Sequence, residues 1–281
     1  MTGYRTGSVD SADGTAIGYR RLGSGPAVLL VHGGMQAAQH LMKLAAALST
    51  EFTVYVPDRR GRGLSGPHGD DYGVTREVED LQALVEATGA SRVFGLSSGA
   101  LVTLHAALVI PGLEAIALYE PPLSVDGSVP MGWVPRFDRE VARGRLAAAL
   151  VTALKGLEVE PVLGRVPRFV LVPVVAIGAR LQGDGSGDDV PIPALIPTQR
   201  FDVRLVEEMA DTARDYTSLG SRVLLLGGTK SPPFLGVALD ELTAAIPHAQ
   251  RITFPGLGHS GPDDDGDPRR VAEALRTFFT A

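Results

Sequence analysis

The sequence predicts an α/β protein: a mostly parallel central sheet with helices on both faces, plus a helical insertion. Three observations carry this. Short apolar runs ending in Gly or Pro alternate with helix-patterned stretches along most of the chain. Those runs are apolar along their whole length, as strands covered on both faces are. The alternation stops between about Leu123 and Thr217, where helical stretches and Pro- and Gly-rich loops take over. The expected division is therefore 1–122 and 218–281 for the α/β core, with 123–217 as a helical cap over the strand ends; extra surface helices are the alternative.

In chain order, "AVLLVHGG" (Ala27 to Gly34) reads as a strand and "MQAAQHLMKLAAAL" as the helix after it. "FTVYVPD" (Phe52 to Asp58) leads through a Gly-rich loop to "REVEDLQALVEATG". There Val78, Leu81, Leu84 and Val85 share one helical face and Gly89 ends the helix. "RVFGLSSG" passes directly into "ALVTLHAALVI", and "AIALYEPP", "RVLLLGG" and "RITFPGLG" supply three more strands. In the insertion, "VPRFDREVARGRLAAALVTALKGL" and "VPRFVLVPVVAIGARL" read as helices. The last helix, "PRRVAEALRTFF", takes Asp267 as N-cap and Pro268 at its first position.

Composition narrows the function. The 281 residues are 44% hydrophobic and 21% charged, enough for a full core. Net charge is −6 with both signs interspersed and no basic stripe, so no nucleic-acid partner is expected. The polar N-terminal stretch has no apolar signal-like region, and the longest apolar run, Phe169 to Leu181, is too short to cross a bilayer and contains Pro173. A cytoplasmic protein without a membrane partner is expected, acting on a small molecule; a homodimer stays open. Cysteine is absent, which excludes disulfides and thiolate metal sites.

"GLSSG" (Gly95 to Gly99) fits G-x-S-x-G around Ser97, with an apolar strand before it and an apolar helix after it. A nucleophilic serine needs such a strained strand-to-helix turn, and the glycines let backbone and helix approach. "HGG" (His32 to Gly34) closes the first strong strand. A turn there can aim the Gly34 amide at a developing oxyanion, with the amide of Ser98 as second donor. His32 itself is expected to brace the loop. Of the six histidines, His259 in "PGLGHSG" follows the last strand, at the sheet edge where Ser97 stands. It would take the Ser97 proton and return it to the leaving group.

The landmarks HGG, "DRRGRGLS" (Asp58 to Ser65), GLSSG, "YEPP" and "GLGHS" occur in an order that resembles the α/β-hydrolase fold family, in its capped serine hydrolase branch. The resemblance spans nearly the whole chain. It implies an aspartate in the turn after "RVLLLGG", yet Lys230 and Ser231 stand there. A cation would oppose the imidazolium formed during reaction, where a carboxylate would stabilise it and fix the tautomer. Some branches keep the acid one strand earlier, which points to Glu120 at the end of "AIALYE"; Asp240, Glu241 and the acidic run "DDDGD" after His259 are the alternatives. That run is otherwise read as a solvated loop and helix start. The resemblance also implies an Asp58–Arg60 ion pair bracing its loop, with a substrate role for Arg59 or Arg62 as a minor alternative. Met131, Trp133 and Phe137 either line an apolar acyl pocket or pack the cap down.

The resulting expectation is a cofactor-independent serine hydrolase for a small-to-medium, largely apolar carboxylic ester, thioester or lactone. Serine in place of a nucleophilic carboxylate disfavours dehalogenase and epoxide hydrolase chemistry. Two alternatives remain: the same fold turned to C–C hydrolysis, perhydrolysis or cyclisation, and a non-catalytic ligand-binding protein.

Overall fold

Side chains of successive strand residues point to opposite faces, and this alternation divides the core into two layers around one sheet. The computed structural model describes residues 3–158, 166–181 and 187–281; residues 182–186 of the Gly-rich "QGDGSGDDVPIP" stretch fall outside them. Among the described residues the sheet has eight strands: β1 (Arg5–Asp10), β2 (Ala16–Leu22), β3 (Ala27–Val31), β4 (Thr53–Pro57), β5 (Arg92–Leu96), β6 (Ala115–Tyr119), β7 (Arg222–Gly228) and β8 (Gln250–Phe254). Their spatial order is β1-β2-β4-β3-β5-β6-β7-β8. β1–β2 and β2–β4 pair antiparallel, and the other neighbours are parallel. The sequence reading did not find β1 and β2. β1 is a polar edge strand with little buried surface, so it lacks the continuous apolar run that marks the central strands.

One layer is built on Val28, Leu30, Val54, Val56, Phe94, Ala117, Leu224 and Leu226, covered by α1 (Met42–Leu48) and the C-terminal helix. The opposite layer uses the intervening residues Leu29, Val31, Val93, Ile116, Leu118, Val223 and Leu225. It is covered by α2 (Val74–Thr88), α3 (Ser98–Val109) and the helix Pro233–Ala245. Each fully buried Val, Leu or Ile stabilises by about 1.5–3 kcal/mol, so register is strongly specified. The stretch expected to be helical from Met35 becomes regular α-helix only at Met42, after a 3-10 turn over Ala38–Leu41. α2 ends as expected, with Gly89 at φ 65° and its N–H on Val85 O.

Between β6 and β7 lie α4 (Val134–Ala142), α5 (Leu146–Gly156), α6 (Arg168–Leu181) and α7 (Gln199–Glu208). The expected single helix over 134–157 is two, because Gly144 turns the chain at φ 66°. α6 runs through Pro173. Trp133, Phe137, Ala149, Ala153, Ile196 and Val203 form a small core belonging to this segment. The chain closes with α8 (Pro233–Ala245) and α9 (Pro268–Thr280); Asp267 Oδ1 accepts from Arg270 N at the N-terminus of α9.

Candidate active site

β5 passes into α3 through one residue, Ser97, at φ 55° and ψ −124°. A non-glycine residue held there stores on the order of 1–3 kcal/mol of strain. The flanking glycines make the turn possible. A Cβ on Gly95 would come within 2.6 Å of Ala100 Cα, and one on Gly99 within 2.4 Å of the His32 carbonyl oxygen. The Ser97 N–H donates to Tyr119 O at 2.9 Å, tying the turn to β6.

β6 ends the same way. Glu120 has φ 48°, and its N–H donates to Leu226 O at 3.0 Å. Its carboxylate is buried: Oε2 lies 2.7 Å from His259 Nδ1, and Oε1 accepts the Gly228 N–H at 2.6 Å. A carboxylate on Nδ1 leaves the hydrogen on that nitrogen and Nε2 free as an acceptor. The His259 loop is held by Tyr119 Oη donating to Gly258 O and by Lys230 N donating to Leu257 O, both at 2.8 Å. The Lys230 side chain is exposed, and Ser231 Oγ has no partner among the described residues. Asp240 is exposed and paired with Arg251.

Ser97 and His259 line one cavity of about 160 Å³. Gly34 and Ser98, both expected oxyanion donors, line it too, as do Met131 and Trp133. Val203 and Val206 of α7 and Phe234 of α8 extend the apolar wall, while Gln36, Gln199, Asp202 and Asp263 bring polar atoms to it. The Gly33 N–H is already taken by Gln36 Oε1 at 2.8 Å. His32 is fully buried; its Nδ1 bonds Gly33 O at 2.9 Å and its Nε2 accepts the Arg59 N–H at 3.1 Å. Burial and the Arg62 and Arg59 guanidiniums push its pKa well down, so it stays neutral.

Phe137 is not on the cavity wall. It is fully buried behind Trp133, edge to face at 5.5 Å, because it points into the insertion's own core. Asp58 and Arg60 do not pair: Asp58 accepts the Ala38 and Leu64 N–H groups at 2.7 and 3.0 Å. Arg60 turns the other way, to Asp80 and Asp13. Arg59 and Arg62 are buried, each pairs with a carboxylate and neither lines the cavity; Arg62 Nη1 has no partner among the described residues. The acidic run is not wholly a solvated loop. Asp263 lines the cavity and accepts from Gln36 Nε2 at 2.8 Å; burial, with Asp264 and Asp265 nearby, pushes its pKa up to about 7 against the Gln36 hydrogen bond and His259. Asp264 bonds the backbone N and Nζ of Lys43, on the first turns of α1.

Asp202 is the polar residue that the sequence reading missed. It sits on α7 with both oxygens occupied: Oδ1 accepts from Ser98 Oγ and Arg59 Nη1, each at 2.8 Å, and Oδ2 from Arg62 Nη2 at 2.6 Å. Burial opposes its charge, but Arg62 and Arg59 outweigh that and hold it well below the usual carboxylate range. The available signal was residues 199, 202, 203 and 206, an i, i+3, i+4, i+7 face on which Gln and Asp stand beside two valines.

The comparisons agree with this architecture. The pattern of the Alpha/beta hydrolase family matches residues 28–274. The chain is 27% identical over 272 residues to a pimeloyl-[acyl-carrier protein] methyl ester esterase of Xanthomonas campestris, covering 92% of this chain and 97% of the relative. It is 36% identical over 132 residues to an N-formylmaleamate deformylase of Pseudomonas putida, covering 45% of this chain and 49% of that protein. The crystal structure of an alpha/beta hydrolase from Sphaerobacter thermophilus superposes with a TM-score of 0.77 at 32% identity, covering 97% of this chain and all of that one. The chain belongs to the alpha/beta hydrolase family and is a hydrolase.

Proposed function

We propose that the protein is a serine hydrolase that cleaves a small-to-medium, largely apolar carboxylic ester, thioester or lactone through an acyl-enzyme on Ser97. The observation that carries this reading is the Glu120–His259 pair at 2.7 Å, whose imidazole lines one cavity with a serine on a strained turn. Glu120 keeps the hydrogen on Nδ1 and balances the imidazolium charge. His259 Nε2 takes the Ser97 proton as Oγ attacks the carbonyl carbon, then returns it to the leaving oxygen or sulfur. The amides of Gly34 and Ser98 receive the oxyanion. Water, deprotonated by the same imidazole, then releases the acid.

The segment between β6 and β7 acts as the cap. Met131, Trp133, Val203 and Val206 give the cavity an apolar wall that suits a hydrocarbon part. An ester substrate agrees with the methyl ester esterase similar over 92% of this chain. A fluorophosphonate probe together with short p-nitrophenyl esters tests the reading. Labelling and turnover are expected in the wild type, and both should vanish in Ser97→Ala. Absence of labelling in the wild type would favour a ligand-binding protein. Labelling without ester turnover would favour a non-ester reaction in the same cavity.

A further inference from the structure

Asp202 is anomalous for a cavity-lining carboxylate. It lies on the insertion, yet it is 2% exposed and buried among groups of the α/β core. Oδ1 accepts from Ser98 and Arg59 and Oδ2 from Arg62, so most of its charge is already claimed inside the protein. In the socket, Arg59 has core partners of its own, whereas Arg62 Nε and Nη2 bond Thr198 and Asp202 of the insertion. Arg59 is held through Nε and Nη2 on Glu77 at 3.0 and 2.8 Å, and Tyr72 Oη donates to the same carboxylate at 2.6 Å. Arg59 therefore does not depend on Asp202 for its place, whereas Asp202 depends on the socket for its neutralisation.

Asp202 touches both residues assigned as oxyanion donors. It accepts the Ser98 hydroxyl, one residue past the nucleophile. It also lies against Gly34: a Cβ there would come within 3.2 Å of the Asp202 carboxylate and 2.8 Å of Gln199 Oε1. Two donors, one in the turn after β3 and one opening α3, thus share one abutment supplied by α7. Resting on the serine hydrolase reading above, we propose that Asp202 is a positioning residue whose seating in the Arg59–Arg62–Ser98 socket sets the Gly34 and Ser98 amides, so that the oxyanion hole is complete only when the insertion is docked.

The test compares Asp202→Asn, Ser98→Ala and the double variant, with p-nitrophenyl butyrate turnover and a trifluoromethyl ketone inhibitor whose adduct with Ser97 carries an oxyanion. Asp202→Asn should lower kcat and weaken the inhibitor, each by about 10- to 100-fold, with KM changed less than about threefold; loss of one full donor costs roughly 10²–10³-fold. Ser98→Ala, which keeps the amide and the Asp202 ion pairs, should show the same split more weakly and serves if Asp202→Asn fails to fold. The double variant should lose less than the product of the single losses, since the two act through one contact. A purely electrostatic role makes the opposite forecast. Removing the carboxylate leaves an extra positive charge beside the hole, so an unweakened or tighter inhibitor with unchanged kcat in Asp202→Asn, or no change in Ser98→Ala, would overturn the proposal. Wild-type protein that neither labels nor turns over would instead sink the hydrolase reading itself.

Discussion

The two sides of the cavity are built differently. On the side of the proposed proton relay, Glu120 follows β6, Gly228 ends β7 and His259 lies in the turn after β8, all at the carboxyl edge of the sheet. On the side of the proposed oxyanion donors, Arg59, Arg62 and Ser98 come from the core, but the carboxylate that joins them comes from α7 of the insertion. The first side is complete within the α/β core; the second is shared between two parts of the chain. A sheet edge suits the proposed proton relay, while under the proposal above the shared network ties the chemistry to the seating of the insertion.

The largest expected effect on stability falls at the shared network. Arg59→Met leaves Glu77 and part of Asp202 without a buried cation, and should cost about 3–5 kcal/mol in urea unfolding. If it costs under about 1 kcal/mol, the network does not join the two parts. Phe137→Ala should cost about 3 kcal/mol or more through the cavity it leaves, with KM little changed, because Phe137 lies behind the cavity wall. Trp133→Ala should raise KM for longer acyl esters, since Trp133 is on the wall. Equal KM effects from the two would contradict the division drawn here.

A smaller effect concerns Asp263. Burial raises its folded pKa to about 7, above its ordinary carboxylate value. Between about pH 4 and pH 7 the native state therefore holds a proton that the unfolded chain has released. Stability falls as pH rises through that window and levels off above it. Asp263→Asn should match the wild type near pH 4 and exceed it by about 1–2 kcal/mol at pH 8, allowing for partial exposure. Identical pH profiles in denaturant titrations would count against a buried acid. The smallest effect is expected at Lys230. Its side chain is exposed and only its backbone N–H holds the His259 loop, so Lys230→Ala should change kcat less than about twofold and stability within about 0.5 kcal/mol.

Legibility follows the same division. The turn at Ser97, the Gly-flanked His259 and a carboxylate ending β6 are local signals, each tied to the end of an apolar strand. Lys230 and Ser231 in the turn after β7 offer no carboxylate, which points to Glu120 at the end of β6. The contact between Ser98 and Asp202 spans 104 positions and has no local sign beyond two polar residues on one face of α7. Asp58 and Arg60 show another limit. The resemblance implies a pair, but the backbone N–H groups of Ala38 and Leu64 claim the Asp58 carboxylate, and Arg60 finds its partners in Asp80 and Asp13. For Phe137, helical spacing identifies an apolar face without saying whether that face lines a cavity or another helix.

The proposed role of Glu120 is best tested on Ser97 alone, independent of any substrate's identity. The rate at which a fluorophosphonate labels Ser97 should fall by about three to four orders of magnitude in Glu120→Gln, the scale of losing a triad acid, while Asp263→Asn and Lys230→Ala stay within a few-fold of the wild type. A Glu120→Gln protein that is folded and labels at nearly the wild-type rate would show that His259 is oriented by something other than Glu120.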